Sequence, residues 1–309
     1  MAYNIKSIRK QFKDRGIFYT DNALAQKMRS YLPDDVREVY DPTCGDGQLL
    51  AAFGDEVEKC GQEINEDQLK VAEKRLTNFQ GYRGDTLTNP AFTFMKFPAI
   101  VANYPFSLKW EPPPPGSDPR FDVLPCIPTR GKADFAFLAH ILYMLSDDGR
   151  AVVLNAPGVL FRGQREGKIR RWMIEQNYIA MVEDIEPGHF EDTNIATCIL
   201  VLEKNRMTTD VLFKSQYGER TVSIEEIKEN DYNLSVGRYI QPPREPEKEA
   251  DLVAVGDDLR RLNLESFKAS LDIELMLVQE LGVGPKDNLI TYLDNMEAII
   301  NETRRKLEE

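Results

Sequence analysis

The stretch Asp41-Pro42-Thr43-Cys44-Gly45-Asp46-Gly47 separates a β-rich run from a run of helix-forming residues. A strand is predicted over residues 36–41, up to the first residue of this stretch. A helical run is predicted over residues 48–53, directly after it. Glycines at a strand-to-helix turn permit positive φ and allow a ligand to approach the backbone closely. The stretch therefore predicts a ligand-binding turn at the carboxyl end of a strand in an α/β fold.

Outward from this turn, short β-rich runs alternate with helical patterns from Glu38 to Lys204. The predicted strands are 36–41, 59–63, 99–102, 151–155, 179–184 and 196–203, and the predicted helices include 66–76, 133–145 and 168–176. Such alternation is typical of βαβ units. The predicted fold class is α/β, with a doubly wound, mostly parallel, Rossmann-like sheet and a small helical region at the C-terminal end.

Two proline-bearing segments interrupt the pattern. Residues 107–132 hold Trp110 and a run of four prolines, which excludes a helix or a central strand, and we interpret this segment as a mobile flap on the substrate side that becomes ordered on DNA. The segment 241–246 is predicted as a linker, which gives one domain over 1–240 and a helical region over 241–309. In the last helix an apolar seam at steps of four and three fits a partner helix as well as the chain's own core: Leu289, Leu293, Met296, Ile300, Thr303 and Leu307.

Composition excludes several classes of protein. No run approaches the roughly 18 apolar residues of a membrane span, and the first residues lack the apolar segment of a secretory signal, so we expect a cytoplasmic protein. Four widely spaced cysteines and two histidines predict no disulfide framework and no metal site.

The formal net charge of -12 is unusual for a protein that binds DNA alone, since Lys and Arg neutralise the phosphates. Basic residues do cluster at 6–15 and at 162–171, and each cluster is either a solvated face or a phosphate contact. Otherwise a partner must supply the grip on DNA.

Three further elements extend the predicted pocket. Glu63 ends the next strand, where a carboxylate can accept hydrogen bonds from both hydroxyls of a ribose, and Asp85 ends the third unit, where it could bind an adenine amine. The fourth element is Asn103-Tyr104-Pro105-Phe106. At a strand end, an Asn carboxamide oxygen and a neighbouring carbonyl can accept both protons of one planar amine, and an aromatic ring can stack on the base that carries it.

In this order, the elements resemble the γ-type N6-adenine DNA methyltransferases, and specifically the modification subunits of type I restriction-modification systems. That family carries an FxT-type element, D-P-x-C-G-x-G, an acidic ribose ligand, an acidic adenine ligand and N-P-P-F/Y. The corresponding residues here are 18–20, 41–47, Glu63, Asp85 and 103–106, and the likeness runs over roughly residues 12–240.

The resemblance implies a cofactor, S-adenosylmethionine, and a role for each matching residue. Asn103, Tyr104, Pro105 and Phe106 would form the catalytic element, in which Asn103 orients the target amine and Phe106 stacks on a flipped adenine. The cofactor would be held by Tyr19, Thr20, Asp41, Pro42, Thr43, Cys44, Gly45, Gly47, Glu63, Ile64, Asp85, Thr86 and Asn103. The implied partners are double-stranded DNA, a specificity subunit bound through the C-terminal helices, and a restriction subunit in some systems.

The sequence departs from the family at Tyr104, where the family has proline, and this leaves other functions open. Similar sites methylate RNA or glutamine side chains of proteins. A chain that binds the cofactor but serves as a weakly active or inactive assembly subunit is a second alternative, and it predicts that proline at position 104 raises activity. A nicotinamide-dependent oxidoreductase would leave residues 103–106 unexplained.

Overall fold

In the computed structural model of this chain, the described residues are 21–185, 196–243, 252–280 and 286–308. Tyr19 and Thr20 and the basic cluster at 6–15 lie outside them. Contacts between Cα atoms divide the chain into two units, Met1–Pro243 and Arg244–Glu309.

The first unit is built on one sheet, to which the described residues contribute nine strands in the order β3-β2-β1-β4-β5-β7-β6-β8-β9. The strands are β1 (Glu38–Asp41), β2 (Glu58–Glu63), β3 (Phe79–Arg83), β4 (Phe97–Ala102), β5 (Leu145–Asn155), β6 (Ile179–Ile185), β7 (Thr197–Glu203), β8 (Val211–Ser215) and β9 (Gly218–Val222). β1 to β5 pair in parallel, whereas β7 runs antiparallel to both β5 and β6. The α/β, mostly parallel fold predicted from the sequence is confirmed.

Helices cover the sheet and form the second unit. In the first unit they are α1 (Asn22–Ser30), α2 (Glu66–Arg75), α3 (Pro119–Asp122), α4 (Asp134–Met144), α5 (Gln164–Glu175) and α6 (Ile224–Glu229). In the second they are α7 (Leu252–Gln279) and α8 (Lys286–Glu308), which contact each other. No helix in the described part of the chain is long and apolar enough to span a membrane.

Alternate residues of the central strands enter two separate apolar clusters. Tyr40, Ile100 and Val153 belong to one cluster, and their neighbours Val39 and Val101 belong to the other. Successive side chains of a strand point to opposite faces of the sheet, so this alternation shows that both faces are buried. A sheet covered on both faces is the doubly wound arrangement that the sequence predicts.

The structure corrects two predictions and extends others. The run at 48–53, predicted as helical, contains only the 3₁₀ segment Leu50–Ala52. Residues 119–122 of the proline-rich segment form the short helix α3, although prolines there were expected to exclude helix; Pro119 occupies its first position, where a missing N–H costs nothing. β3, β8 and β9 were not predicted. β3 lies at the edge of the sheet, so its side chains are mostly half-buried or exposed and leave no apolar signal.

Candidate active site

A cavity of about 740 Å³ lies at the carboxyl ends of β1, β2, β3 and β4, next to the point where the strand order reverses. Ligands of open α/β sheets bind at this position, and the volume falls in the range of small-molecule sites. The predicted site residues that line it are Asp41, Pro42, Thr43, Cys44, Gly45, Glu63, Ile64, Asp85, Thr86, Asn103 and Pro105. The structure therefore brings together residues from four separate segments of the chain.

The glycine turn is fixed to the end of β2. Gly45 and Gly47 have φ of +54° and +82°, conformations that residues with a Cβ seldom adopt. Cys44 N donates to the Gln62 carbonyl at 2.9 Å, and Gly45 N donates to Glu63 Oε2 at 2.9 Å. Gly47 does not line the cavity; it is buried, and an added Cβ would stand 2.8 Å from Leu76 Cδ1.

Glu63 links the glycine turn to the loop after β2. Its Oε1 accepts a hydrogen bond from Asn65 N at 2.8 Å while Oε2 accepts from Gly45 N. Burial raises the pKa of Glu63, against these backbone hydrogen bonds, which lower it. The backbone N–H of Ile64 also lowers the pKa of Glu63. A carboxylate has about four lone-pair positions, so these backbone groups leave acceptor capacity for a ligand hydroxyl.

Asp41 is fully buried behind the turn. Its Oδ1 accepts from Thr43 N at 2.9 Å. Burial raises the pKa of Asp41 to about 8, and the charge of Glu63 adds to the effect while Thr43 opposes it. The bond from Thr43 N fixes the backbone at the start of the turn, and burial disfavours the charged form of this carboxyl group.

The wall contributed by the loop after β3 is held by several short-range bonds. Asp85 Oδ1 accepts from Leu87 N at 2.9 Å, and its Oδ2 accepts from Thr88 Oγ1 at 3.0 Å. Thr86 is buried, and its hydroxyl donates to the Pro42 carbonyl. The loop after β3 is thus tied directly to the glycine turn after β1.

Residues 103–106, which follow β4, place some side chains in the cavity and others in the core. Asn103 and Pro105 line the cavity, but Tyr104 is only 1% exposed. The Tyr104 ring stacks on Phe137 with centroids 4.7 Å apart, and its hydroxyl donates to Asn155 Oδ1. Phe106 is half-buried, and its ring meets that of Tyr104 edge-on, with centroids 6.1 Å apart.

A buried carboxylate that sequence reasoning missed follows this element. Asp134 Oδ1 accepts from Ser107 N at 3.0 Å, which fixes the backbone directly after residues 103–106. Its Oδ2 accepts from Arg162 Nη1 at 3.0 Å, and Arg162 also pairs with Glu166 at 3.1 Å. Its only sequence signal was an acidic residue just before an apolar helix.

The cavity lining is acidic. Five of the described lining residues are Asp or Glu, and one is Arg: Asp41, Asp46, Glu63, Glu66, Asp85 and Arg83. Asp46 pairs with Arg75 at 2.9 Å, and Glu66 pairs with Arg83 at 2.7 Å. Because these two carboxylates are paired and burial raises the pKa of Asp41, the charge that favours a ligand with positive groups comes mainly from Glu63 and Asp85.

The basic cluster at 162–171 is largely occupied within the fold. Arg162 is paired with acids, and Arg170 is buried, donating to the carbonyls of Val159, Arg162 and Tyr232. Burial lowers the pKa of Arg170 to about 10. Of the two interpretations of this cluster, phosphate contact is excluded for the buried Arg170 side chain, whereas Arg165 and Lys168 are exposed.

The sequence matches one protein family over most of its length. Residues 3–221 match the family described as N-6 DNA Methylase. The chain belongs to the N-6 DNA methylase family. The family resemblance predicted from the ordered motifs is thereby confirmed.

Named N-6 DNA methylase relatives are methylase subunits of type I restriction enzymes. The MpnII subunit of Mycoplasma pneumoniae is 28% identical over 298 residues, which cover 76% of this chain and 55% of that protein. The HindI subunit of Haemophilus influenzae is 24% identical, covering 87% and 74%. The crystal structure of the type I restriction-modification methyltransferase subunit of Streptococcus thermophilus matches with a TM-score of 0.68 at 29% identity, covering 72% and 59%. The chain thus spans less than two thirds of the Mycoplasma and Streptococcus proteins.

Proposed function

We propose that this chain transfers a methyl group from S-adenosylmethionine to the N6 amine of adenine in DNA, as the modification subunit of a type I restriction-modification system. The observation that carries the proposal is the single cavity that Asp41, Glu63, Asp85 and Asn103 share at the carboxyl ends of four strands. Membership of the N-6 DNA methylase family and the names of its relatives support the same reaction.

The lining of the cavity fits this cofactor. Its sulfonium and ammonium groups are positive, and the lining includes the carboxylates of Glu63 and Asp85, which form no ion pair among the described residues. We propose that residues 41–45 hold the methionine end, Glu63 and Ile64 the ribose, and Asp85 and Thr86 the adenine. Tyr19 and Thr20 are proposed to close the methionine end, and Gly47 to shape the turn.

The bound cofactor supplies an electrophilic methyl group, and the chain's residues present the amine to it. Asn103 Oδ1 and a neighbouring backbone carbonyl accept hydrogen bonds from the two N–H groups of the amine, which holds the nitrogen lone pair toward the methyl. Tyr104 contributes its backbone and Pro105 the fixed φ of its ring, while Phe106 stacks on the extruded base. Extrusion costs a few kcal/mol, which DNA contacts must offset.

Tyr104 does not weigh against activity. Its side chain is packed beneath the site on Phe137, so it does not narrow the cavity. A nicotinamide dinucleotide fits less well, because the turn is followed only by the 3₁₀ segment Leu50–Ala52 rather than by a helix N-terminus that binds pyrophosphate.

We place the methyl transfer in residues 1–240 and the binding of a specificity subunit in residues 241–309. Large apolar side chains are exposed along both helices of the second unit, among them Leu259, Leu264, Ile290 and Ile300. Within the predicted seam Leu289 and Met296 are half-buried and Leu293 is exposed. A partner that covers these groups, and in some systems a restriction subunit, completes the proposed assembly.

Long-read sequencing of DNA from cells that express this chain, with and without a specificity subunit, tests the proposal. We expect N6-methyladenine at one bipartite motif, only with the partner, and none with Asn103→Ala. Purified protein with labelled cofactor then separates the substrates. Incorporation into RNA or protein, with none into unmethylated DNA in the presence of the partner, would overturn the DNA assignment.

A further inference from the structure

Arg120 is a buried cation in the proline-rich segment 107–132. It stands in the short helix α3 and is 3% exposed. A buried charge is costly unless it is paired and fully hydrogen-bonded. Its partners therefore indicate why the fold keeps an arginine at this position.

Each of the five N–H groups of Arg120 has an acceptor. Nε and Nη2 donate to the two carboxylate oxygens of Asp118, at 2.9 and 2.6 Å. Nη1 donates to the carbonyl of Thr86 at 2.7 Å, and Nη2 donates to the carbonyl of Leu87 at 2.6 Å. The remaining Nη1 proton points to His140 Nδ1 at 3.1 Å.

His140 extends this network to β1. Because a guanidinium can only donate, His140 Nδ1 must accept, so the neutral ring carries its proton on Nε2. That nitrogen lies 3.2 Å from the hydroxyl of Tyr40, the residue before Asp41. Burial lowers the pKa of His140 to about 3, and the charge of Arg120 adds to this, so the ring is neutral at pH 7.

Of the two residues whose carbonyls Arg120 binds, Thr86 lines the cavity and Leu87 follows it in the same loop. Thr86 and Asp85 line the cavity, and the amide of Leu87 fixes the Asp85 carboxylate. Arg120 does not itself line the cavity, and it holds the loop through carbonyls one and two residues after Asp85. In the described residues, no other guanidinium is hydrogen-bonded to these carbonyls.

We infer that Arg120 is a positioning residue for the nucleoside end of the cavity, holding the loop 85–87 so that Asp85 meets the adenine of the cofactor. The inference rests on the proposed function. It gives the proline-rich segment a defined task, because Arg120 ties the segment to the loop that carries Asp85. Lysine cannot replace this arginine, since it has three donors and no planar fork.

The test compares Arg120→Lys with Arg170→Lys in the full chain. Arg170 is a matched control, because it is also buried and bonded to three carbonyls but does not line or brace the cavity. Binding of S-adenosylhomocysteine and of adenosine is measured by calorimetry, and the unfolding temperature by fluorescence. We expect Arg120→Lys to weaken both ligands about tenfold or more and Arg170→Lys to change neither more than about twofold.

A double-mutant cycle with Asp85→Asn separates positioning from general loosening. If Arg120 acts through the loop, the loss in the double variant is smaller than the product of the two single losses. If Arg120→Lys does not fold, Asp118→Asn serves instead, since it loosens the guanidinium but keeps its carbonyl contacts; we expect a weaker but measurable loss of affinity. Unchanged affinity in a folded variant, or strictly multiplicative losses, would overturn the inference. Absence of binding by the unaltered chain would overturn the proposed function instead.

Discussion

Replacing Tyr104 by phenylalanine removes one buried hydroxyl and leaves Asn155 Oδ1 without its hydrogen bond. Asn155 is fully buried, and its Nδ2 keeps its bond to the Val153 carbonyl at 2.9 Å. An orphaned buried acceptor costs about 1–3 kcal/mol. In a unit of this size each kcal/mol lowers the unfolding temperature by roughly 2–4 °C, so we expect a loss of about 2–12 °C.

Replacing Tyr104 by proline removes the ring as well. The ring stacks on Phe137 and meets Phe106 edge-on, and truncating a buried aromatic costs about 3–5 kcal/mol. We therefore expect Tyr104→Pro to be less stable than Tyr104→Phe, and no more active than the unaltered chain. Proline would restore a fixed φ, but it would leave a cavity under residues 103–106.

Thermal unfolding of both variants, with Tyr217→Phe as the exposed control, measures the stability effects. Under the proposed function, methylation of DNA by each variant in the presence of a specificity subunit measures the functional effect. A Tyr104→Pro variant that unfolds at the normal temperature and methylates faster would refute this reasoning. That result would favour the alternative in which the tyrosine marks a weakened assembly subunit.

Three further changes probe the cavity. Gly47→Ala should lower stability by more than Gly116→Ala: both glycines have positive φ, but only the Cβ at position 47 meets Leu76, and equal unfolding temperatures would contradict this. Asp41→Asn should gain stability relative to the unaltered chain as pH rises from about 4 to 8. Because its pKa is raised to about 8, folded Asp41 keeps a proton that the unfolded chain releases, so the unaltered chain loses stability as pH rises through this window, whereas Asp41→Asn does not. Parallel stability profiles of the two proteins against pH, measured by denaturant titration, would exclude the effect. Glu63→Gln should weaken the binding of S-adenosylhomocysteine about tenfold or more in calorimetry, because one backbone N–H then faces an amide donor. Unaltered affinity would contradict the proposed contact between Glu63 and the ribose.

Local sequence patterns were enough to predict the sheet's central strands and the residues around the cavity. The turn at 41–47, Glu63 and Asn103 each follow or end a strand that was predicted, so the topology brings them together, and Asp85 joins them from the loop after β3. The edge strand β3 has no such signal. Its side chains are mostly exposed, and only its pairing with β2 makes it a strand.

Long-range polar contacts could not be predicted. The Asp134 bond to Ser107 spans 27 residues, and the Arg120 bonds to Thr86 and Leu87 span 34 and 33. Nothing in the sequence near Arg120 distinguishes a buried brace from a solvated charge. Arg170 likewise belongs to a basic cluster in the sequence, and nothing in that cluster indicates that its side chain is buried.

Arg162 and Arg170 are both bonded within the fold, and this affects how DNA affinity should depend on ionic strength. Each phosphate neutralised by a cation releases counterions and steepens the fall of DNA affinity with salt. Arg162 is paired with Asp134 and Glu166, and Arg170 is buried with its N–H groups bonded to backbone carbonyls. Neither side chain, so placed, neutralises a phosphate or releases counterions. Under the proposed function, the salt slope of DNA binding therefore reports mainly on the exposed Lys and Arg of this acidic chain and on the surfaces of the proposed partners.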